Sequence, residues 1–221
     1  MNPLRFIYLQ VRDAIMTRGG LQPKGTYWWS RSGVEWSGDE SAWIELPNLS
    51  GGFHAALKTF WDAHGLGRRC LLVSENPAVR DVLAEQYAGT EFVISDLHSD
   101  LMPPTSGVPD IVWDVCDAPP PALSMAVFDS VVCNALLEHV LDPVGALKNL
   151  ASLLAPNGHL YAFTCTPSFH LHRYPRDYVR FHLDFFEDLP CYLRQKYKLD
   201  LRLEEIYARR GVVAVCYERL G

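Results

Sequence analysis

The side chains able to do chemistry gather at a few points of this sequence, each just after a short apolar run. They are Ser74-Glu75-Asn76, Asp96, Asp114, Asn134 with Glu138-His139, and the loop from Thr164 to His182. Asp96 follows the first of these turns by about twenty residues, the spacing at which an acidic side chain meets a ribose diol. A carboxylate suits that role because it accepts two hydroxyl hydrogen bonds at once. Asp114 ends the next run and can accept from an adenine amino group. A strand-end Asp also commonly caps a turn, so either residue alone says little; in this order and spacing the two point to an adenosine-type ligand. His139 is of a residue type that serves as a general base and has Glu138 beside it, although the pair can equally orient neighbouring loops. His170, His172 and His182 cluster with Arg173, Arg176 and Arg180, a basic seat for an acidic substrate. Two His at i, i+2 can join a metal site, but no third ligand stands at a distinctive spacing. The same arginines can instead pair with Asp177, Asp184 and Glu187 at a helix start.

Such residues act together only if a scaffold delivers them to one edge. Cys70–Val73 is a short apolar run, which reads as a buried parallel strand. Asn76-Pro77 starts a helix, with Asn as N-cap and Pro in the first turn; Val79, Val82, Leu83 and Tyr87 form its inner face. Further strands are expected at Phe92–Ile94, Ile111–Trp113, Phe128–Cys133 and His159–Cys165. Asp142-Pro143 repeats the cap signal, and that helix buries Val144, Leu147, Leu150, Ala151 and Leu154 before Pro156-Asn157-Gly158 stops it. Helical spacing also covers 53–63 and 183–197. Strands at 199–207 and 212–217 are separated too briefly for a helical crossover, so they must pair antiparallel. The expected fold class is α/β: a Rossmann-like, mostly parallel sheet ending in an antiparallel hairpin, with helices on both faces. In such sheets ligands sit at the carboxyl ends of the strands, where the polar groups above lie.

Composition narrows the classes. Among 221 residues, 48% are hydrophobic and 21% charged, with a net charge of −6. This excludes intrinsic disorder and disfavours broad binding to nucleic acid, which needs a clustered basic surface. No apolar stretch approaches the ~18 residues of a membrane span, and Arg5, Arg12 and Asp13 interrupt the N-terminus, which does not read as a signal peptide. None of the six cysteines forms a C-x-x-C pair, and four lie in apolar runs, so a reduced, cytoplasmic setting is expected. Residues 3–16 place Leu4, Ile7, Tyr8, Val11 and Ile15 on one helical face. Residues 19–51, with six glycines and four tryptophans (Trp28, Trp29, Trp36, Trp43), read as a cap or loop over the body. The expected division is 1–51, an N-terminal helix and Trp/Gly-rich cap, and 52–221, the α/β domain.

Two stretches carry a family resemblance. Phe128-Asp129 through Leu136-Leu137-Glu138-His139-Val140 to Asp142-Pro143, followed by Leu153-Leu154-Ala155-Pro156-Asn157-Gly158-His159-Leu160, resembles the class I S-adenosylmethionine-dependent methyltransferases of small-molecule type. Tyr174-Pro175-Arg176-Asp177-Tyr178-Val179-Arg180-Phe181 also resembles a segment after the fifth strand in one bacterial branch. The resemblance implies a seven-stranded sheet closed by the hairpin. Nicotinamide Rossmann enzymes lack that hairpin and need a Gly-x-Gly-x-x-Gly, which is absent here. It further implies methyl transfer from S-adenosylmethionine, leaving S-adenosylhomocysteine, to a small-molecule acceptor, with oxygen favoured. The cofactor is expected over Ser74, Glu75, Asn76, Asp96, Asp114 and Asn134, with Glu138 and His139 as catalytic residues and the substrate among Trp28, His170, His172 and Arg176. Two departures matter. Ser74, Asn76 and Ala78 replace the three glycines of the family's first motif, and Leu72 replaces its acidic residue. In the ubiquinone-type O-methyltransferases a Glu three residues before the Glu-His pair completes a metal site, and here that position is Ala135. His139 therefore reads as base or structural hydrogen-bonder before metal ligand. The glycine losses keep an alternative open: a protein of the same fold with weak or lost cofactor binding that serves as a binding partner.

Overall fold

Apolar runs become the centre of the sheet because both of their faces are buried. A computed structural model describes residues 27–31, 43–45, 52–97, 108–123, 127–169, 172, 176–209 and 211–221. The elements in chain order are β1 (Tyr27–Ser30), β2 (Trp43–Glu45), β3 (Gly52–His54), α1 (Ala55–His64), β4 (Arg69–Val73), α2 (Pro77–Gln86), β5 (Glu91–Asp96), β6 (Ile111–Val112) and β7 (Phe128–Asn134). They continue with a 3-10 turn (Leu137–His139), α3 (Pro143–Ser152), β8 (Leu154–Cys165), α4 (Leu183–Tyr197), β9 (Leu201–Arg209) and β10 (Val212–Arg219). The sheet order is β1-β9-β10-β8-β7-β4-β5-β6. Strands β4 to β8 run parallel, and β10 is antiparallel to both β8 and β9. The seven expected strands and their terminal hairpin are therefore present, from β4 to β10.

Alternation along β4 shows how the two cores form, since successive side chains point to opposite faces. Leu71 and Val73 join Val131 and Cys133 under α3 and α4, packing on Leu147, Leu150, Phe186, Leu189 and Leu193. Cys70 and Leu72 join Val132 and Ile94 under α1 and α2, packing on Leu57, Phe60, Trp61, Val79 and Leu83. Asn76 caps α2 as its sequence signature requires, its Oδ1 accepting from the backbone N–H groups of Ala78 (2.8 Å) and Val79 (3.2 Å). Asp142 does the same for α3 through Gly145 N–H at 2.9 Å.

Beyond shifts of a residue or two at element ends, three details differ from the sequence expectation. The eighth strand, β1, comes from the segment read as a cap or loop: Tyr27–Ser30 runs antiparallel to β9, with Trp29 opposite Ile206. Its aromatic run has strand propensity, and β9 offers it an open edge. The helix expected from residue 53 starts at Ala55, because Gly52–His54 pairs with β2 instead. Strand β8 begins at Leu154, ahead of His159, and the expected Pro-Asn-Gly turn survives as a bulge within it. There the register jumps from Phe128↔Leu154 to Ser130↔His159, with Asn157 at φ 64°. The expected helix over 3–16 lies outside the described residues. No helix among the described residues is long and apolar enough to cross a membrane.

Candidate active site

The chain leaves β4 toward β5 and β6 on one side, then returns to place β7 on the other side of β4. The turns after β4 and β7 therefore diverge and open a crevice at their carboxyl ends, the switch point where open α/β sheets bind ligands. Both turns carry a left-handed residue that is not glycine: Ser74 at φ 61° and Ala135 at φ 49°. Backbone hydrogen bonds hold them there, from Ser74 N–H to Ser95 O (2.8 Å) and from Ala135 N–H to Phe163 O (2.9 Å). Ser74 stands where the family pattern has its first glycine, so the turn keeps the glycine conformation with a serine in it. An L-residue there is strained by about 1–2 kcal/mol, offset in part by the extra unfolded-state freedom of glycine. Ser74→Gly is expected to raise unfolding free energy by about 0.5–1 kcal/mol, read from denaturant midpoints; a lowered midpoint would contradict the strain.

Across the crevice, Asn134 Nδ2 donates to Glu75 Oε1 at 3.1 Å, linking residues 59 apart in sequence. Asn134 Oδ1 is buried, with no hydrogen-bond partner among the described residues. Burial pushes the Glu75 carboxyl up to about 8, the Asn134 amide works against this, and the Asp96 charge adds to it. A buried carboxyl beside an orphaned amide oxygen offers acceptors to a cationic amino group, whose charge would favour the ionised form of the carboxyl. Asp96 closes β5 half-buried, with Oδ1 accepting from Leu97 N–H at 2.8 Å; a carboxylate retains acceptor sites after one such bond. Asp114 spends Oδ1 on Cys116 N–H at 2.9 Å, the turn-capping role that strand-end aspartates often take. Asn76 likewise has its side-chain oxygen committed to α2.

Glu138 and His139 lie in the 3-10 turn after β7. Glu138 is fully buried. Its Oε2 accepts from Thr164 Oγ1 at 2.6 Å and its Oε1 from the Cys165 thiol at 3.4 Å. Burial first, then the Glu138 charge, pushes the Cys165 thiol up, so it stays a protonated donor. The backbone carbonyl of Glu138 accepts from the N–H groups of Tyr178 (2.8 Å) and Val179 (3.3 Å), docking the loop after β8 onto this turn. His139 Nδ1 lies 2.6 Å from the carbonyl of Arg176. A carbonyl only accepts, so Nδ1 carries the proton and the lone pair is on Nε2. That Nε2 faces His172 Nε2 at 3.2 Å and lies 3.9 Å from Glu138 Oε1. His172 is set by Asp177, whose Oδ2 accepts its backbone N–H at 2.9 Å. The Arg180 guanidinium, bonded to both Asp177 oxygens, holds that carboxyl down at about 2.

The structure thus brings Ser74, Glu75, Asn134 and Asp96 around one crevice, and Glu138, His139 and His172 around the neighbouring strand ends. Arg176 meets His139 through its backbone, and its side chain is exposed. Trp28 sits on β1, with β9, β10 and β8 between it and β7. His170 lies outside the described residues. From sequence, Thr164 entered only as the start of the polar loop, Asp177 only as a partner for the arginines, and Cys165 only as a buried hydrophobe. A lone polar residue at the carboxyl end of the apolar run Leu160–Cys165 is the signal that marks Thr164. Asp129, part of the quoted motif, is structural: its Oδ2 accepts from Arg68 and Arg69 N–H at 2.7 and 2.9 Å and fixes the start of β4.

Comparison with known proteins agrees with this geometry. A family model described as a methyltransferase domain matches residues 51–203. The ubiquinone biosynthesis O-methyltransferase of Coxiella burnetii is 43% identical over 47 residues, 21% of this chain and 20% of that protein. The alignment thus spans about a fifth of that relative's length. Among solved structures, an S-adenosylmethionine-dependent methyltransferase from Mesorhizobium loti superposes with a TM-score of 0.52 at 15% identity, over 75% of this chain and 96% of that one. The 1,6-didemethyltoxoflavin-N1-methyltransferase of Burkholderia thailandensis, solved with that substrate and S-adenosylhomocysteine, gives 0.51 at 16% identity, over 75% and 77%. The structures speak to the fold, and the family model covers most of the sheet that builds the crevice. The chain belongs to the methyltransferase-domain family and has the class I S-adenosylmethionine-dependent methyltransferase fold.

Proposed function

We propose that this protein transfers the methyl group of S-adenosylmethionine to an oxygen of a small-molecule acceptor in the cytoplasm. The observation that carries the reading is the left-handed turn kept at Ser74 beside the Glu75–Asn134 pair. It preserves the backbone approach that the missing glycines would have given and adds a carboxyl suited to an amino group. The residues fit the cofactor: Ser74, Glu75 and the backbone at Asn76 for its amino-acid end, Asp96 for the ribose hydroxyls, Asp114 and the adjoining turn for the base. Bound there, S-adenosylmethionine supplies an electrophilic methyl on a sulfonium. Most of the remaining work is positioning and removal of the acceptor's proton. His139 Nε2 takes that proton, with the ring held by the Arg176 carbonyl and Glu138 beside it. Because Arg180 is neutralised by Asp177, the exposed Arg176 is the group that meets an anionic acceptor.

The role of Glu75 makes a pH prediction. In the free protein its carboxyl holds a proton up to about pH 8, whereas pairing with an ammonium requires the carboxylate. Binding therefore releases a proton, and S-adenosylhomocysteine affinity is expected to rise about tenfold per pH unit below 8 and level off above it. Calorimetric titration across that range, in buffers of different ionisation enthalpy, reads both the affinity and the released proton. A pH-independent affinity with no proton release would overturn the Glu75 assignment. The same raised value acts on stability with a fixed sign. The folded state holds this proton more tightly than the unfolded chain does, so the contribution is lost as pH rises toward 8.

A further inference from the structure

The imidazoles of His139 and His172 face each other edge to face, with their ring planes at 89°. His139 Nδ1 is committed to the Arg176 carbonyl at 2.6 Å. His172 Nδ1 lies 3.5 Å from Asp177 Oδ2, too far for a hydrogen bond that would fix the tautomer of that ring. His139 therefore presents its Nε2 lone pair, and His172 Nε2 lies 3.2 Å from it, donating in one tautomer of His172 and bare in the other. In the second tautomer a cation can lie between the two nitrogens and take a lone pair from each. The arrangement in which one ring nitrogen donates to a carbonyl or carboxylate while the other is left bare is the one that orients metal-ligating histidines.

The spacing is that of two ligands on one ion. Nitrogens bound at about 2.0–2.1 Å lie about 2.9 Å apart at a right angle and about 3.4 Å apart at the tetrahedral angle, and the observed 3.2 Å falls between them. Glu138 Oε1 lies 3.9 Å from His139 Nε2, and the donor atoms of Glu138, His139 and His172 all lie within 4.8 Å of one another. We propose that Glu138, His139 and His172 form a binding site for a transition-metal dication such as Zn2+, with His172 supplying the third ligand where Ala135 offers none. Two imidazoles and one carboxylate leave at least one coordination position open. The donor set favours zinc, iron, cobalt or nickel over magnesium, which prefers an all-oxygen shell. The site belongs to the acceptor end only insofar as the methyl-transfer reading holds, whereas the ion binding itself does not depend on it. Coordination and proton acceptance use the same Nε2 lone pair of His139, so the loaded and metal-free forms differ at that end of the crevice.

The test is a titration of chelator-treated full-length protein with Co2+, followed by displacement with Zn2+. One equivalent of Co2+ is expected to produce the visible ligand-field absorption of a low-coordinate nitrogen–oxygen site. Zn2+ should abolish it and Mg2+ should not. His172→Ala, on the loop, and Glu138→Gln, which keeps an acceptor for Thr164, should each weaken binding by more than the roughly 10–100-fold that losing an outer-shell partner costs. His159→Ala, outside the cluster, should leave it unchanged. No absorption in the parent protein, or equal affinity in His172→Ala, would overturn the site. S-adenosylhomocysteine titrated into the same preparations separates the two claims. Cofactor binding without metal binding overturns the metal site alone, and metal binding without cofactor binding overturns the methyl-transfer reading alone.

Discussion

Replacing Asp96 with alanine weakens S-adenosylhomocysteine binding by roughly 10- to 100-fold and leaves the unfolding midpoint nearly unchanged. The size follows from losing hydrogen bonds to a charged acceptor, worth about 1.5–3 kcal/mol. The selectivity follows from position. Asp96 ends β5 half-buried, and Oδ1 accepts from the N–H of the next residue, Leu97. The strand itself is held by its ladders to β4 and β6 and by the buried Phe92, Val93 and Ile94. Asp96→Asn is the informative companion, since an amide accepts through one oxygen where the carboxylate accepts through two; it should fall between the parent and the alanine variant. Unchanged affinity in Asp96→Ala would place the ribose elsewhere. Asp114→Ala should cost less, because its Oδ1 is already spent on Cys116.

His139→Ala should lower kcat for methyl transfer by about 100- to 10,000-fold, the usual contribution of a positioned acid–base group. S-adenosylhomocysteine affinity should stay within a few-fold, because His139 lies on the β7–β8 side of the crevice, away from Asp96. The assay follows S-adenosylhomocysteine formation with whichever hydroxylated acceptor from a panel the parent protein turns over. The ring is placed by two contacts that alanine cannot make, the 2.6 Å bond to the Arg176 carbonyl and the 3.2 Å approach to His172. Some loosening of the 176–180 loop is therefore expected, although the backbone bonds from Tyr178 and Val179 to Glu138 O persist. A variant that retains parental kcat would remove His139 from the chemistry and return it to a structural role.

The scaffold was readable because its signals are local. Asn76-Pro77 and Asp142-Pro143 announce helices that start where the caps place them. The helix over 183–197 matches its spacing to the residue. The runs at 70–73 and 128–133 need both faces buried, which only helices on both sides supply. The shortness of the link between β9 and β10 forces an antiparallel pair. What escaped is long-range. Edge pairing of Tyr27–Ser30 with β9 joins segments far apart in sequence, and nothing within a glycine- and tryptophan-rich stretch says which edge it will meet. The site was legible to a similar depth. Asp96, Asn134, Glu138 and His139 stand at strand ends, where periodicity finds them. Their partners do not: Glu75 meets Asn134, Thr164 meets Glu138 and His172 meets His139 only once β4, β7 and β8 lie side by side. The basic loop also read as more charged than it is, since Arg180 is paired with Asp177, one of the pairings the sequence had left open.

The central claim is that a crevice whose glycines have become Ser74, Asn76 and Ala78 still binds the methyl donor. Calorimetric titration of the full-length protein with S-adenosylmethionine and S-adenosylhomocysteine tests it most directly. The account predicts saturable one-to-one binding of both, lost in step with Asp96→Ala. Absence of heat with either, at protein concentrations that would reveal a micromolar site, would contradict it and leave a methyltransferase fold serving as a binding partner.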